Sequence, residues 1–265
     1  MRAELGFRGL QHILLTHAHL DHVLGLAGLL ATFALYRVGE TVEIIGSRET
    51  VGFVRRYLGE TIGPERERAY RLYAISPGPV LAGAGWRLDA FPVAHRGTES
   101  LGFAFQEDIR HPLLPERLEA LGVPAGPERA ELAQDRSVVL ADGGRITPEM
   151  VHGPPVPGTK LAIVGDTEEV ATLIEPVRGA DALVIEATFL ESDAALARQR
   201  GHLTAAAAGW LAREAGVGEL LLTHISGRYR PEEILTEAAR DFAKVRVVAD
   251  FDRMSIRARD DAVNS

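Results

Sequence analysis

The chain contains no cysteine, and that absence removes several chemistries at once. Disulfides, thiolate-held zinc and a cysteine nucleophile are all excluded. No continuous apolar run is long enough to cross a bilayer and nothing resembles a signal peptide, so a cytoplasmic protein with no membrane partner is expected. Internal repeats and low-complexity tracts are also missing. Positive charge is in deficit: 37 acidic residues outnumber 29 basic ones, and the net charge is −8. That balance argues against a surface that coats nucleic acid broadly, yet a local patch or a bound cation can still supply a positive field. Apolar residues, by contrast, make up 46% of the 265 positions, enough for a sizeable core in one domain or in a domain carrying an insertion.

Short apolar runs alternate with helical patterns. Strands are expected over residues 13–16, 42–45, 87–93, 101–105, 161–164, 182–185, 219–222 and 245–248. A buried, glycine-spaced helix is expected over 23–33. Ser47 is placed to N-cap a helix running to about Leu58. Residues 204–215 read as a helix stopped by Gly216, and residues 231–242 as an amphipathic helix with Pro231 in its first turn. The alternation predicts an α/β fold with helices covering sheets. Residues 107–157 break it. They are rich in proline and glycine, with one helical stretch near 115–121, and read as an inserted arm.

The run Thr16-His17-Ala18-His19-Leu20-Asp21-His22 carries the chemistry. It puts three imidazoles and a carboxylate within six positions, after an apolar strand and before a buried helix. Sheets of α/β proteins present ligands at the carboxyl ends of strands. Imidazole suits zinc and similar divalent ions, and carboxylate oxygen can join it. A tight loop can aim His17 and His19 at one metal while Asp21 and His22 face a second. Two ions about 3.5–4 Å apart clamp the attacking and leaving oxygens of a displacement. Such a pair needs one more histidine for each metal and one shared carboxylate.

Each appears once, at an expected strand terminus. His95 follows Phe91-Pro92-Val93-Ala94, Asp166 ends Leu161-Ala162-Ile163-Val164-Gly165, and His224 ends Glu219-Leu220-Leu221-Leu222-Thr223. The simplest sharing gives His17, His19 and His95 to one metal and Asp21, His22 and His224 to the other, with Asp166 bridging. Singly, His95 reads as structural and Asp166 equally as a helix cap; the set is the signal. His12 reads as structural, and His111 and His152 as solvated residues of the insertion. His202, in Gly201-His202-Leu203-Thr204, precedes a helix, and the acidic strand end Ile185-Glu186-Ala187-Thr188 gives it a candidate partner.

Together these motifs resemble the metallo-β-lactamase superfamily and, within it, the ribonuclease Z family of tRNA 3′-endonucleases. The resemblance extends over essentially the whole chain. Val164-Gly165-Asp166-Thr167 and Ile185-Glu186-Ala187-Thr188-Phe189 resemble the family's Gly-Asp-Thr and Glu-Ala-Thr segments. Gly201-His202-Leu203-Thr204 resembles its Gly-His-Ser-Thr segment, with Leu203 where serine is usual. Leu222-Thr223-His224-Ile225-Ser226-Gly227-Arg228-Tyr229 resembles its Thr-His-x-Ser-x-Arg-Tyr ending. Gly122-Val123-Pro124-Ala125-Gly126-Pro127 resembles the Gly-Pro motif of the arm that grips the tRNA elbow.

The resemblance implies one domain over 1–265, a four-layer αββα sandwich lacking the usual first N-terminal strands. The arm at 107–157 would be a tRNA-binding exosite using Gly126 and Pro127. It further implies two zinc ions per subunit (Mn2+ or Mg2+ as alternatives), a precursor tRNA substrate and a homodimer. Asp21 would orient the attacking water and take its proton, His202 held by Glu186 would protonate the leaving oxygen, and Ser226 and Arg228 would position phosphate. A surface ion pair is the alternative for Arg228. One feature of the arm departs from the family: from Glu107 to Lys160, six basic residues face nine acidic ones. The rival functions are a metal-dependent phosphodiesterase of small diesters, another hydrolase of the same fold, or a non-catalytic member.

Overall fold

The structure, a computed structural model, describes residues 9–36, 41–63 and 68–259. The chain opens with β1 (His12–Leu14), then α1 (Leu20–Val23) and α2 (Gly25–Tyr36), which return it to β2 (Val42–Ser47). Ser47 ends β2 and caps α3 (Arg48–Thr61), its hydroxyl accepting from Thr50 N at 3.2 Å. The chain comes back as β3 (Tyr70–Ile75). These three strands form a parallel sheet in the order β1-β2-β3, with a helical crossover behind each pair, as parallel pairing requires. Any strand before β1 would fall outside the described residues.

A meander follows: β4 (Gly78–Gly83), β5 (Trp86–Val93) and β6 (Ser100–Glu107), all antiparallel neighbours. The inserted arm then carries α4 (Pro115–Ala120), α5 (Pro127–Leu132), the two-stranded β7 (Val138–Val139) and β8 (Arg145–Ile146), and α6 (Pro148–Val151). The sheet resumes with β9 (Lys160–Ile163), α7 (Ile174–Val177), β10 (Ala182–Glu186), α8 (Ala194–Arg200), α9 (Ala205–Glu214), β11 (Glu219–Thr223), α10 (Pro231–Ala238) and β12 (Val245–Val247). The order is β12-β11-β10-β9-β6-β5-β4, parallel from β12 to β9 and antiparallel beyond. Among the described residues no helix is long and apolar enough to cross a membrane.

Three packed layers of side chains hold the four layers of backbone together. Leu26, Leu30 and Phe33 of α2 and Val54 and Leu58 of α3 bury against Val42 and Ile44 of the small sheet. Leu88, Ala90, Leu101 and Phe103 of the large sheet meet Leu14 and Ile75 of the small one. On the far side, Ala208, Leu211 and Ala212 of α9 and Ile234 of α10 cover Leu183, Ile185, Leu220 and Leu222. Burying faces on both sides of each sheet is the favourable solution for two sheets with an apolar helix on each outer surface. The result is the αββα sandwich.

Several boundaries differ from the sequence reading. The expected helix over 231–242 ends at Ala238, and residues 239–241 form a turn. β3 and β4 lie outside the strands expected from the sequence. Both lie at sheet edges among the described residues, so their side chains are half-buried or exposed and the alternation is weak. Pro79 in β4 is tolerated because an edge strand can forgo a ladder donor. The arm contains more than its one expected helix. Leu118, Val123, Leu132, Val138, Ile146 and Val151 give it a small core of its own, built from turns too short for periodicity to reveal. His152 is also a correction. Its side chain is 11% exposed rather than solvated, and it stacks on the exposed His111 with ring centroids 5.3 Å apart.

Candidate metal centre

The polar residues at the strand ends meet at one edge of the sandwich. Residues His17 to His22 leave β1 and enter α1, His95 follows β5, Asp166 follows β9, Glu186 ends β10 and His224 follows β11. The loops must come close for this. Gly165 permits it, because a Cβ there would stand 2.8 Å from Thr16 Oγ1.

Among the described residues three groups have their donor atoms mutually within 4.8 Å: two that share Asp166, and a third of Glu186, His202 and His224. The first is His17, His19, His95 and Asp166; the second is Asp21, His22, Asp166 and His224. In the first, His95 Nε2 lies 3.1 Å from His19 Nδ1, and Asp166 Oδ2 lies 3.8 Å from His17 Nε2 and 3.9 Å from His95 Nε2. In the second, Asp21 Oδ2 lies 3.4 Å from His22 Nε2 and 3.5 Å from His224 Nε2. Asp166 approaches the same two nitrogens at 3.3 and 3.7 Å. Four donors about 2.0–2.1 Å from a tetrahedral zinc ion stand about 3.4 Å from one another, so the spacing suits such an ion.

In the first group the protonation states agree with a cation site, whereas in the second the Asp166 carboxylate raises His22. Burial, with His22 close by, lowers His17 to about 4, and burial also lowers His95. Burial alone would raise Asp166, but His22, His224 and His17 around it hold it down at about 2. Near neutral pH the buried imidazoles of His17 and His95 are therefore neutral, with lone pairs, beside an ionised carboxylate. His95 Nδ1 donates to Gly201 O at 2.8 Å, which leaves its Nε2 as the acceptor. Among the described residues His17 Nε2, His22 Nε2 and Asp166 Oδ1 are buried without a hydrogen bond. Orphaned buried polar atoms are costly, and a divalent cation would serve all three. The residues present fit a two-ion site.

Beside this cluster stands a second constellation. Glu186, 1% exposed, accepts from His202 Nδ1 at 2.9 Å, Thr167 N at 2.8 Å, Leu203 N at 3.2 Å and Thr188 Oγ1 at 2.5 Å. Burial would lower His202, but the Glu186 carboxylate outweighs it and His202 sits above the usual histidine range. Thr188 also lies 2.9 Å from His224 Nδ1. Thr188 is not among the site residues expected from the sequence. Its signal is its place two residues after Glu186 on an extended segment, where i and i+2 share a face.

The remaining candidates are less engaged. Ser226 is half-buried after β11, its N–H donating to Thr188 O, and Arg228 is exposed beyond it. Gly126 and Pro127 start α5 in the arm, and the structure brings neither into the ligand groups. His12 pairs with Glu43 at 3.3 Å, away from them.

Comparison with known proteins agrees with this architecture. A sequence profile of the Beta-lactamase superfamily domain matches residues 2–154. Ribonuclease Z of Bradyrhizobium diazoefficiens is 51% identical over 257 residues, covering 97% of this chain and 85% of that protein. Ribonuclease Z of Geobacillus kaustophilus is 37% identical, covering 94% of this chain and 82% of its own. The crystal structure of human tRNase Z, short form, superposes with a TM-score of 0.64 at 21% identity, over 97% of this chain and 83% of the other. With this identity over nearly its whole length, and with the sandwich and its ligand cluster, the chain belongs to the ribonuclease Z family, metal-dependent hydrolases of the metallo-β-lactamase fold.

Proposed function

We propose that the chain is a cytoplasmic zinc-dependent endoribonuclease that removes the 3′ trailer from precursor tRNA. Two divalent ions would be held, one by His17, His19 and His95 and one by Asp21, His22 and His224, with Asp166 shared. The observation that carries this is the pair of ligand groups joined at Asp166 and flanked by the Glu186–His202 pair. Bound there, the ions would supply an acidified water and neutralise charge growing on the phosphate.

The protein's own residues do the rest. Asp21 takes a proton from the attacking water. Burial alone would raise its carboxyl, yet the charge of His22 beside it and hydrogen bonds from its own backbone N–H and from His224 keep it below the usual range and therefore ionised. As the new P–O bond forms, the P–O3′ bond of the last retained nucleotide breaks. His202, protonated on Nε2 and held through Nδ1 by Glu186, gives its proton to the departing 3′ oxygen. The products are a tRNA 3′-hydroxyl and a trailer with a 5′-phosphate. Ser226 and Arg228 position phosphate at the rim, and Gly126 and Pro127 present the arm to the tRNA body. A homodimer is part of the proposal, and the exposed Leu20 and Leu24 of the α1–α2 face suit it.

The test is cleavage of a 3′-extended precursor tRNA by zinc-loaded protein, beside Asp21→Ala and a small chromogenic phosphodiester. Cleavage after the discriminator nucleotide, lost in Asp21→Ala, is expected. Turnover of the small diester alone would replace this function with that of a small-molecule phosphodiesterase.

A further inference from the structure

His224 poses a problem that the ligand groups leave unsolved. It has a left-handed backbone, φ 55°, which a side-chain-bearing residue adopts only at a cost in free energy. It must also present Nε2, the nitrogen facing Asp21 and Asp166, as a lone pair. The proton then belongs on Nδ1, and Nδ1 needs an acceptor. Unlike His95, whose Nδ1 finds the Gly201 carbonyl, His224 finds a hydroxyl, Thr188 Oγ1 at 2.9 Å.

A hydroxyl can accept from Nδ1–H and pass its own proton on. Thr188 does so toward Glu186 Oε2 at 2.5 Å, with the His224 carbonyl 2.9 Å away as a second acceptor. Thr188 is 7% exposed, so water is largely excluded from competing for these bonds. The chain of donors runs His224 Nδ1–H to Thr188 Oγ1–H to Glu186 Oε2, while Glu186 Oε1 takes the His202 Nδ1–H. One buried carboxylate therefore stands behind both a metal-ligating imidazole and the acid imidazole.

We propose that Thr188 is a positioning residue that sets the tautomer and backbone pose of His224, so that Glu186 orients His224 through a hydroxyl and His202 directly. The inference rests on the two-ion proposal above. Supporting partners of metal-bound histidines typically change affinity by about 10- to 100-fold when removed. Thr188→Val keeps the volume and deletes the hydroxyl; Thr188→Ala leaves space; Thr188→Ser keeps the hydroxyl.

The experiment is calorimetric titration of the chelator-treated full chain with zinc chloride. Wild type is titrated first and is expected to take two ions. Thr188→Val and Thr188→Ala are expected to keep one ion at wild-type affinity and to weaken the other about 10- to 100-fold, with Thr188→Ser restoring it. If both ions bind to the Val and Ala variants as they do to wild type, or if both weaken equally, Thr188 does not position His224 and only this inference fails. A wild-type chain that takes fewer than two ions overturns the two-ion proposal and this inference with it. A Val variant that does not fold leaves the Ala and Ser pair to decide.

Discussion

Replacing His202 with Asn separates its chemistry from its place in the fold. The Asn amide nitrogen stands where Nδ1 does, two bonds from Cβ, so it can still donate to Glu186 Oε1, the bond that spans 2.9 Å in the native chain. Glu186 then keeps its other donors from Thr167, Leu203 and Thr188, and no buried partner is orphaned. The stability loss should stay within about 1 kcal/mol. What disappears is the proton on Nε2. A positioned general acid is worth about 100- to 10,000-fold, or about 3–5 kcal/mol of barrier. The ribose 3′ oxygen is a poor leaving group and needs that proton, whereas p-nitrophenolate leaves without one. His202→Asn should therefore cut kcat on precursor tRNA by about 100-fold or more and change kcat on bis(p-nitrophenyl) phosphate by less than about 10-fold. Steady-state kinetics on the two substrates, with zinc content measured alongside, gives the answer. Equal losses on both, or unchanged tRNA cleavage, would refute the assignment of His202 as the acid.

Two further outcomes are expected. In the metal-free chain His17 is held at about 4 against an ordinary 6.5, so below pH 6.5 the unfolded chain binds a proton that the folded chain resists. Stability is then fully present above 6.5 and falls as pH drops toward 4, by at most about 3 kcal/mol from this group. Asp166, held at about 2, acts in the same direction between 3.8 and 2, while His22, raised, contributes stability at low pH that is lost as pH rises. Urea unfolding of chelator-treated protein should show a lower midpoint at pH 4.5 than at pH 7, with a smaller difference in His17→Gln; a flat profile would count against the burial argument. In the arm, Gly126 turns the chain at φ 145°, a conformation that only glycine adopts readily. Gly126→Val should raise KM for precursor tRNA several-fold and leave the small diester untouched; no change in KM would remove the arm's tip from substrate binding.

The net acidity of the arm bears on how it could hold RNA. With six basic residues against nine acidic ones, a field of side-chain charge is not its means of attraction. Pro127 has no N–H to give, so in the proposed binding mode the Gly126 N–H would be the smaller, directional contact with phosphate at this turn. Precursor tRNA binding should consequently depend on salt less steeply than in a protein with many phosphate-binding cations.

The sequence by itself determined which residues could hold metal. Each of the single histidines and the shared carboxylate follows an apolar run, and such runs become buried strands whose ends carry the first side chains free to turn outward. His95, Asp166 and His224 are legible for that reason, as is Ser47, whose hydroxyl caps α3. The helices that cover the sheets were readable from their caps and apolar faces. Only the tertiary structure decided the rest. β3 and β4 at the sheet edges bury too little to leave a strong pattern, and the arm's core forms from short turns distant in sequence. His152 gave no sign that it would stack on His111. That Thr188 stands between Glu186 and His224 depends on loops from different strands meeting at one edge. Strand order and register set those meetings, and they are long-range properties that no local stretch of sequence encodes.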